Sequence, residues 1–155
     1  PHEHIGVYSE VSIILNTIRF YVKAQSNVID LEVKGDARGS LIALEENYNT
    51  PFAIKRVYYI FGTKEGVRRG FHAHKELKQL AICVSGSCNF HLDDGKEKKE
   101  ILLASPAQGL LIEGLIWREM YDFSPDCVLM VMASEHYDES DYIRDYDGFL
   151  KEVNR

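Results

Sequence analysis

From Leu41 onward the apolar residues fall in short runs separated by turn-forming residues. The runs are Leu41–Leu44, Val57–Phe61, Gly70–His74, Leu80–Val84, Cys88–Leu92, Ile101–Leu103, Leu110–Ile112 and Cys127–Ala133. Many short strands at close spacing predict an all-β sandwich or barrel. Asp94-Gly95 is the clearest hairpin turn, because both residue types tolerate the backbone a tight turn needs. Gly62 and Gly66 bracket a loop ahead of the Gly70–His74 run. Near the C-terminus the period changes. In residues 138–151, Tyr142, Ile143 and Tyr146 recur at helix-like spacing among acids, which predicts a short helix with a break near Gly148. Residues 11–22 fit a strand or a helix equally well. Residues 1–22 are expected to be an extension or linker, ahead of one domain over 23–155.

A chain of 155 residues suits one domain with a sizeable core. Its net charge of −6 argues against a nucleic-acid partner. The one basic run, Lys96 to Glu100, follows the Asp94-Gly95 turn and reads as a solvated hairpin tip. No apolar run reaches the length of a membrane span; Asn16, Thr17 and Arg19 interrupt the nearest one. The three cysteines, Cys83, Cys88 and Cys127, are odd in number and lack a secretory signal, which favours free thiols in a reducing cytosol. Cys83 alternates with Ala81 and is expected in the core. No Cys-x-x-Cys is present, which argues against a structural zinc site.

The candidate chemistry lies in residues 66–86. His72 and His74 alternate with Phe71, Ala73 and Lys75, so on a strand both imidazoles share one face. The spacing from Gly66 through His72-x-His74 and Gln79 to Gly86 resembles the first motif of the cupin barrels. That resemblance implies a double-stranded β-helix, a jelly-roll barrel. It also exposes a departure: metal-binding cupins carry Glu where Gln79 stands, and a later His where Arg118 stands. Arginine stays protonated and has no lone pair to give. Two histidines, a neutral amide and a cation make a poor zinc, iron or manganese site, so no metal is expected. With Arg69, Lys75 and Arg118 near them in the motif, the histidines make an interior too polar for packing alone. Nearby positive charge lowers an imidazole's pKa and leaves it a neutral general base.

Four segments then resemble one family in the right order: I-K-R-V-Y-Y-I-F (54–61), R-G-F-H-A-H-K (69–75), W-R-E-M (117–120) and Y-D-E-S-D-Y-I-R (137–144). They are similar to the dTDP-4-keto-6-deoxyglucose 3,4-ketoisomerases, metal-free cupin enzymes that feed 3-aminotransferases in deoxysugar biosynthesis. The resemblance implies a base, His72, that takes the C3 proton to form an enediol. It implies an assisting His74, and Tyr58 as a shuttle between the two oxygens. It implies Arg38, Arg56, Arg69 and Arg118 as holders of the pyrophosphate, whose oxygens suit a guanidinium fork. Gln79 and Trp117 complete the expected substrate-binding set, with Trp117 against thymine or lining the barrel; for a lone Trp in an apolar run, core packing is the commoner role. No cofactor is expected. The implied partners are a dTDP-linked 4-keto-6-deoxy sugar and a second copy of the chain, as a homodimer in the cytoplasm. Product configuration stays open, because Arg38 matches the galacto-producing type and Arg118 the gluco-producing type. Two other readings stand beside this one: a non-catalytic sugar-nucleotide-binding domain of a larger, acyltransferase-fused enzyme, and a metal-dependent oxygenase.

Overall fold

The structure, a computed structural model, describes residues 24–155. The expectations for residues 1–22 lie outside the described residues. Two five-stranded antiparallel sheets form the body. The first runs in the order β1-β9-β6-β11-β4, with β1 Gln25–Asp30, β4 Arg56–Phe61, β6 Gln79–Ser85, β9 Gln108–Glu113 and β11 Val128–Ala133. The second runs β12-β5-β10-β7-β8, with β5 Arg69–His74, β7 Cys88–Asp93, β8 Lys98–Leu103, β10 Trp117–Tyr121 and β12 Tyr142–Ile143. A separate hairpin joins β2 Lys34–Asp36 to β3 Gly39–Leu41. One helix, α1 Tyr146–Val153, follows β12. This is the all-β barrel the strand pattern predicts, with its short C-terminal helix.

Alternation along the strands sorts side chains into three apolar layers. Ala81, Cys83, Leu110, Leu129 and Val131 of the first sheet meet Cys88, Phe90, Leu92 and Met120 of the second. The opposite face of the first sheet, Leu80, Ile82, Leu111 and Met132, is covered by Leu31 and Phe52. Because both of its faces are covered, β6 reads as a continuous apolar run. On the outer face of the second sheet, Ala73 and Trp117 bury Phe149 of α1. No helix among the described residues is long and apolar enough to cross a membrane.

Where structure and pattern differ, polar residues explain it. Strand β10, W-R-E-M-Y, was not legible as a strand because Arg118 and Glu119 interrupt its apolar positions. The run Leu41–Leu44 leaves strand geometry after Leu41; Ile42 and Leu44 turn in to pack on the outer cluster instead. The C-terminal helix starts at Tyr146, not 138, and Gly148 does not break it. Asp145 caps it, its carboxylate accepting the Gly148 N–H at 2.9 Å. Upstream, Asp138 caps a separate 3-10 turn, Glu139–Asp141. The Asp94-Gly95 turn stands as predicted between β7 and β8, with Asp94 accepting the N–H groups of Lys96 and Glu97.

Candidate active site

The histidine strand does not pair evenly with its neighbour. Gly70 lies opposite Glu119 and His72 opposite Arg118, so Phe71 is left over as a bulge. The bulge places Phe71 at φ 58° and Gly70 at φ 95°. Only glycine fits at 70, because a Cβ there would lie 2.7 Å from the Arg118 carbonyl oxygen. Beyond the bulge, alternation is regular. His72 and His74 share the face of Arg118, and Ala73 points the other way into the layer under α1. The two imidazole rings meet edge to face with centroids 4.9 Å apart.

Arg118 is 2% exposed, and each of its three guanidinium nitrogens makes a hydrogen bond. Its Nη1 donates to Gln79 Oε1 at 2.5 Å, and its Nη2 to the Ile116 carbonyl at 2.8 Å. Since arginine only donates, Gln79 must turn its oxygen to Arg118 and its NH2 outward. That NH2 donates to the Tyr58 hydroxyl oxygen at 3.0 Å. The Tyr58 oxygen is therefore an acceptor on this side, and its own proton is free to point into the site. Burial raises the Tyr58 pKa, against the pull of Arg118, and keeps the phenol protonated. Burial lowers that of Arg118 to about 10, which leaves it cationic at neutral pH.

Both histidines are held neutral. Burial, and then the Arg118 charge, lowers His72 to about 4. The same two causes, with His72 itself, lower His74 to about 2. His72 Nδ1 and His74 Nε2 are buried with no hydrogen-bond partner among the described residues. Buried imidazole nitrogens left bare are costly unless a ligand completes them. A cavity of about 650 Å³ opens beside His74, lined also by Arg56, Tyr137, Asp141 and Tyr142. The Arg56 guanidinium lies 5.5 Å from the Tyr58 ring centre and 5.7 Å from that of Tyr137.

Six of the residues singled out in the sequence thus come together: His72, His74, Tyr58, Gln79, Arg118 and Arg56. Three do not join them. Trp117 is the neighbour of Arg118 in sequence and so faces the opposite side of the strand. It packs on Tyr146 and Phe149 and donates its indole N–H to Glu119 at 2.8 Å, so it neither lines the barrel nor meets a base there. Arg38 is exposed at the turn of the β2–β3 hairpin and paired with Asp36 at 2.5 Å. Arg69 is exposed, upstream of the bulge.

Sequence reasoning missed Asp141 and Tyr142. The Tyr142 ring covers both imidazoles, at 5.0 Å from His72 and 4.3 Å from His74. Asp141 meets His74 Nδ1 at 3.1 Å. Both residues lie in the 137–144 segment that carried the family resemblance, so that segment was the available signal. Its helix-like spacing hid the fact that Tyr142 pairs with His74 as a strand.

The donor sets do not favour a metal. Beside the histidines stands the Arg118 cation. The other cluster, Cys83, Cys88 and Cys127, has sulfur distances of 3.6 and 3.8 Å about Cys83. Those thiols sit in the apolar layer with Phe90, Leu103 and Leu129, where a charged metal–thiolate group would lack polar support. Free, buried thiols are what the sequence leads one to expect at these positions.

Against this geometry, three comparisons agree. Residues 24–154 match the family model described as FdtA: WxcM-like, C-terminal. A curated relative, TDP-4-oxo-6-deoxy-alpha-D-glucose-3,4-oxoisomerase of Aneurinibacillus thermoaerophilus, is 57% identical over 129 residues, covering 83% of this chain and 93% of its own. The crystal structure of a 3,4-ketoisomerase from Helicobacter canadensis superposes with a TM-score of 0.82 at 50% identity, covering 84% of this chain and 98% of that one. That of QdtA, a sugar 3,4-ketoisomerase from Thermoanaerobacterium thermosaccharolyticum in complex with TDP, does so with a TM-score of 0.81 at 45% identity, covering 83% and 94%.

Proposed function

This chain belongs to the FdtA family (WxcM-like, C-terminal), and we propose that it is a cofactor-free 3,4-ketoisomerase acting on dTDP-4-keto-6-deoxyglucose. The product is a dTDP-3-keto-6-deoxyhexose. The observation that carries the reading is the pairing of bare, neutral imidazole nitrogens with a phenol whose proton is free.

The reaction moves two protons and no external electrons. His72 takes the proton on C3 while Tyr58 gives its own to the C4 oxygen, and an enediol forms. The Tyr58 oxygen then takes the proton from the C3 hydroxyl as the His72 imidazolium, aided by His74, returns a proton to C4. The ketone now stands at C3. Charge develops on the Tyr58 oxygen during transfer, and the Gln79 NH2, polarised by Arg118, is already aimed at it. Low imidazole pKa values suit the first step, since the base must be unprotonated when substrate arrives. Binding alone has no use for two bare imidazole nitrogens, which is why we prefer catalysis to a binding-only domain.

Arg56, whose buried Nε has no partner among the described residues, is our first choice for the diphosphate. Arg38 and Arg69 are proposed to reach it from their exposed positions. We also propose a homodimer, working in the cytoplasm. Supporting the dimer, edge strand β4 carries an exposed apolar stripe of Val57, Tyr59 and Phe61; a monomer in sedimentation would refute it.

Incubation with dTDP-4-keto-6-deoxyglucose in deuterated buffer, with a 3-aminotransferase to trap the ketone, tests the reading. A 3-amino product with deuterium at C4 supports it, and the H3–H4 coupling of the same product made in ordinary water assigns galacto or gluco. Untouched substrate with no trapped amine sinks it.

A further inference from the structure

We infer that Asp141 is a positioning residue that fixes the tautomer of His74, keeping its proton on Nδ1 and its Nε2 bare; the inference deepens, and rests on, the ketoisomerase reading.

The site is built by register. Strand β12 pairs with β5 so that Tyr142 lies opposite His74, which brings the preceding residue, Asp141, to the edge of that imidazole. The Lys75 N–H bonds the Asp141 carbonyl at 3.0 Å and holds the two segments together. The carboxylate is then pinned by backbone donors. Its Oδ1 accepts the Glu76 N–H at 2.8 Å, and its Oδ2 accepts the Leu77 N–H at 3.3 Å. These donors belong to the loop that follows His74, so the carboxylate cannot turn away without leaving them unpaired. Oδ2 also meets His74 Nδ1 at 3.1 Å.

An ionised carboxylate can only accept. His74 is neutral, so its single ring proton must sit on Nδ1 to satisfy that contact. Nε2 is then the ring's lone-pair nitrogen, and it is the buried His74 atom without a partner among the described residues. A neutral imidazole free to choose would carry the proton on either nitrogen. With the proton on Nε2, that nitrogen would donate instead of accepting, and assistance in proton transfer at C4 would fail. Asp141 does not touch the reacting carbons; it decides what His74 offers them.

Asp141→Asn separates this role from packing. The amide has the same shape, but the two backbone N–H groups compete for its one oxygen. With that oxygen held at Glu76, the NH2 faces His74 Nδ1 and donates, which forces the ring proton to Nε2. The experiment is nitrogen-15 NMR of the histidine rings in wild type and Asp141→Asn, with kcat, KM and dTDP affinity beside it. We expect His74 of wild type to show a protonated Nδ1 and bare Nε2. In the variant the assignment reverses, and kcat falls about 10²-fold or more, the size of a lost acid–base contribution. KM and dTDP affinity stay within about twofold. A wild-type His74 protonated on Nε2 overturns the inference, and so does a variant that keeps both tautomer and kcat. Should the variant not fold, the wild-type spectrum decides alone. Wild-type protein without turnover would sink the ketoisomerase reading, and the spectrum would still judge the tautomer.

Discussion

The space between the two sheets has a polar end and an apolar end, and the same strands build both. Strand β6 begins with Gln79, bonded to Tyr58 and Arg118, and four residues later carries Cys83 against Cys88 and Cys127. Strand β11 runs from Leu129, beside Cys83, to Ala133, beside Gln79. At the apolar end each side chain needs only a neighbour of the right volume, so the constraint is shape. At the polar end each group fixes the next: Arg118 sets the Gln79 amide, and the amide sets the Tyr58 proton. One atom exchanged there changes the direction of every bond after it. The fold thus separates stability from chemistry along the length of single strands.

That separation can be broken or sharpened by substitution. The largest effect falls on His72→Asn: kcat drops about 10³-fold, while dTDP binding and the melting temperature hold, as read by steady-state kinetics, calorimetric titration and thermal melts. Leu129→Ala at the other end should do the reverse. It is fully buried and should cost about 2–5 kcal/mol of stability, with kcat per folded molecule unchanged; a denaturant titration and an active-site count check both halves. A loss of kcat there would break the comparison. Tyr58→Phe belongs to both columns. It removes the shuttle, for about 10²-fold in kcat, and leaves the Gln79 NH2 unpaired, for about 1–3 kcal/mol; rate and midpoint should fall together.

The gentlest probe is pH. His72 and His74 titrate lower in the folded state, about 4 and about 2, than the ordinary imidazole value of 6.5. Below 6.5 the unfolded chain binds protons that the folded one refuses, so stability is complete above 6.5 and falls as the pH drops toward 4. Denaturant midpoints at pH 7, 6 and 5 should show the decline, and it should be shallower in His72→Asn. A midpoint flat from pH 7 to pH 5 would mean the imidazoles are not buried as described.

Much of the polar end was legible in the sequence because its residues sit in strands whose alternation is a local rule. His72-x-His74, Gln79 and Arg118 announce one shared face, and they share it. Trp117 was misplaced for the same reason: alternation sends it away from Arg118, but nothing local says which of the two faces inward. Burial of the arginine and exile of the indole to α1 are decided by partners distant in the chain, Gln79 and Phe149. Asp141 and Tyr142 were hidden by an accidental helical spacing, while strand pairing with β5 determines their place. Arg38, on a hairpin with no buried residue, is legible by motif, yet no local rule of the strands ties it to the buried cluster.

The bulge at Phe71 implies a hidden choice between two alignments. If β5 ran on evenly against β10, Phe71 would take the place opposite Arg118 and every later residue would slip by one. Both imidazoles would then be thrown against Phe149, and Ala73 would be delivered to Arg118. Gly70 is the detent that stops this slip, because its left-handed backbone and its close approach to the Arg118 carbonyl belong only to the bulged alignment. A larger residue at 70 would leave the inventory of acids and bases untouched and yet send it to the wrong address.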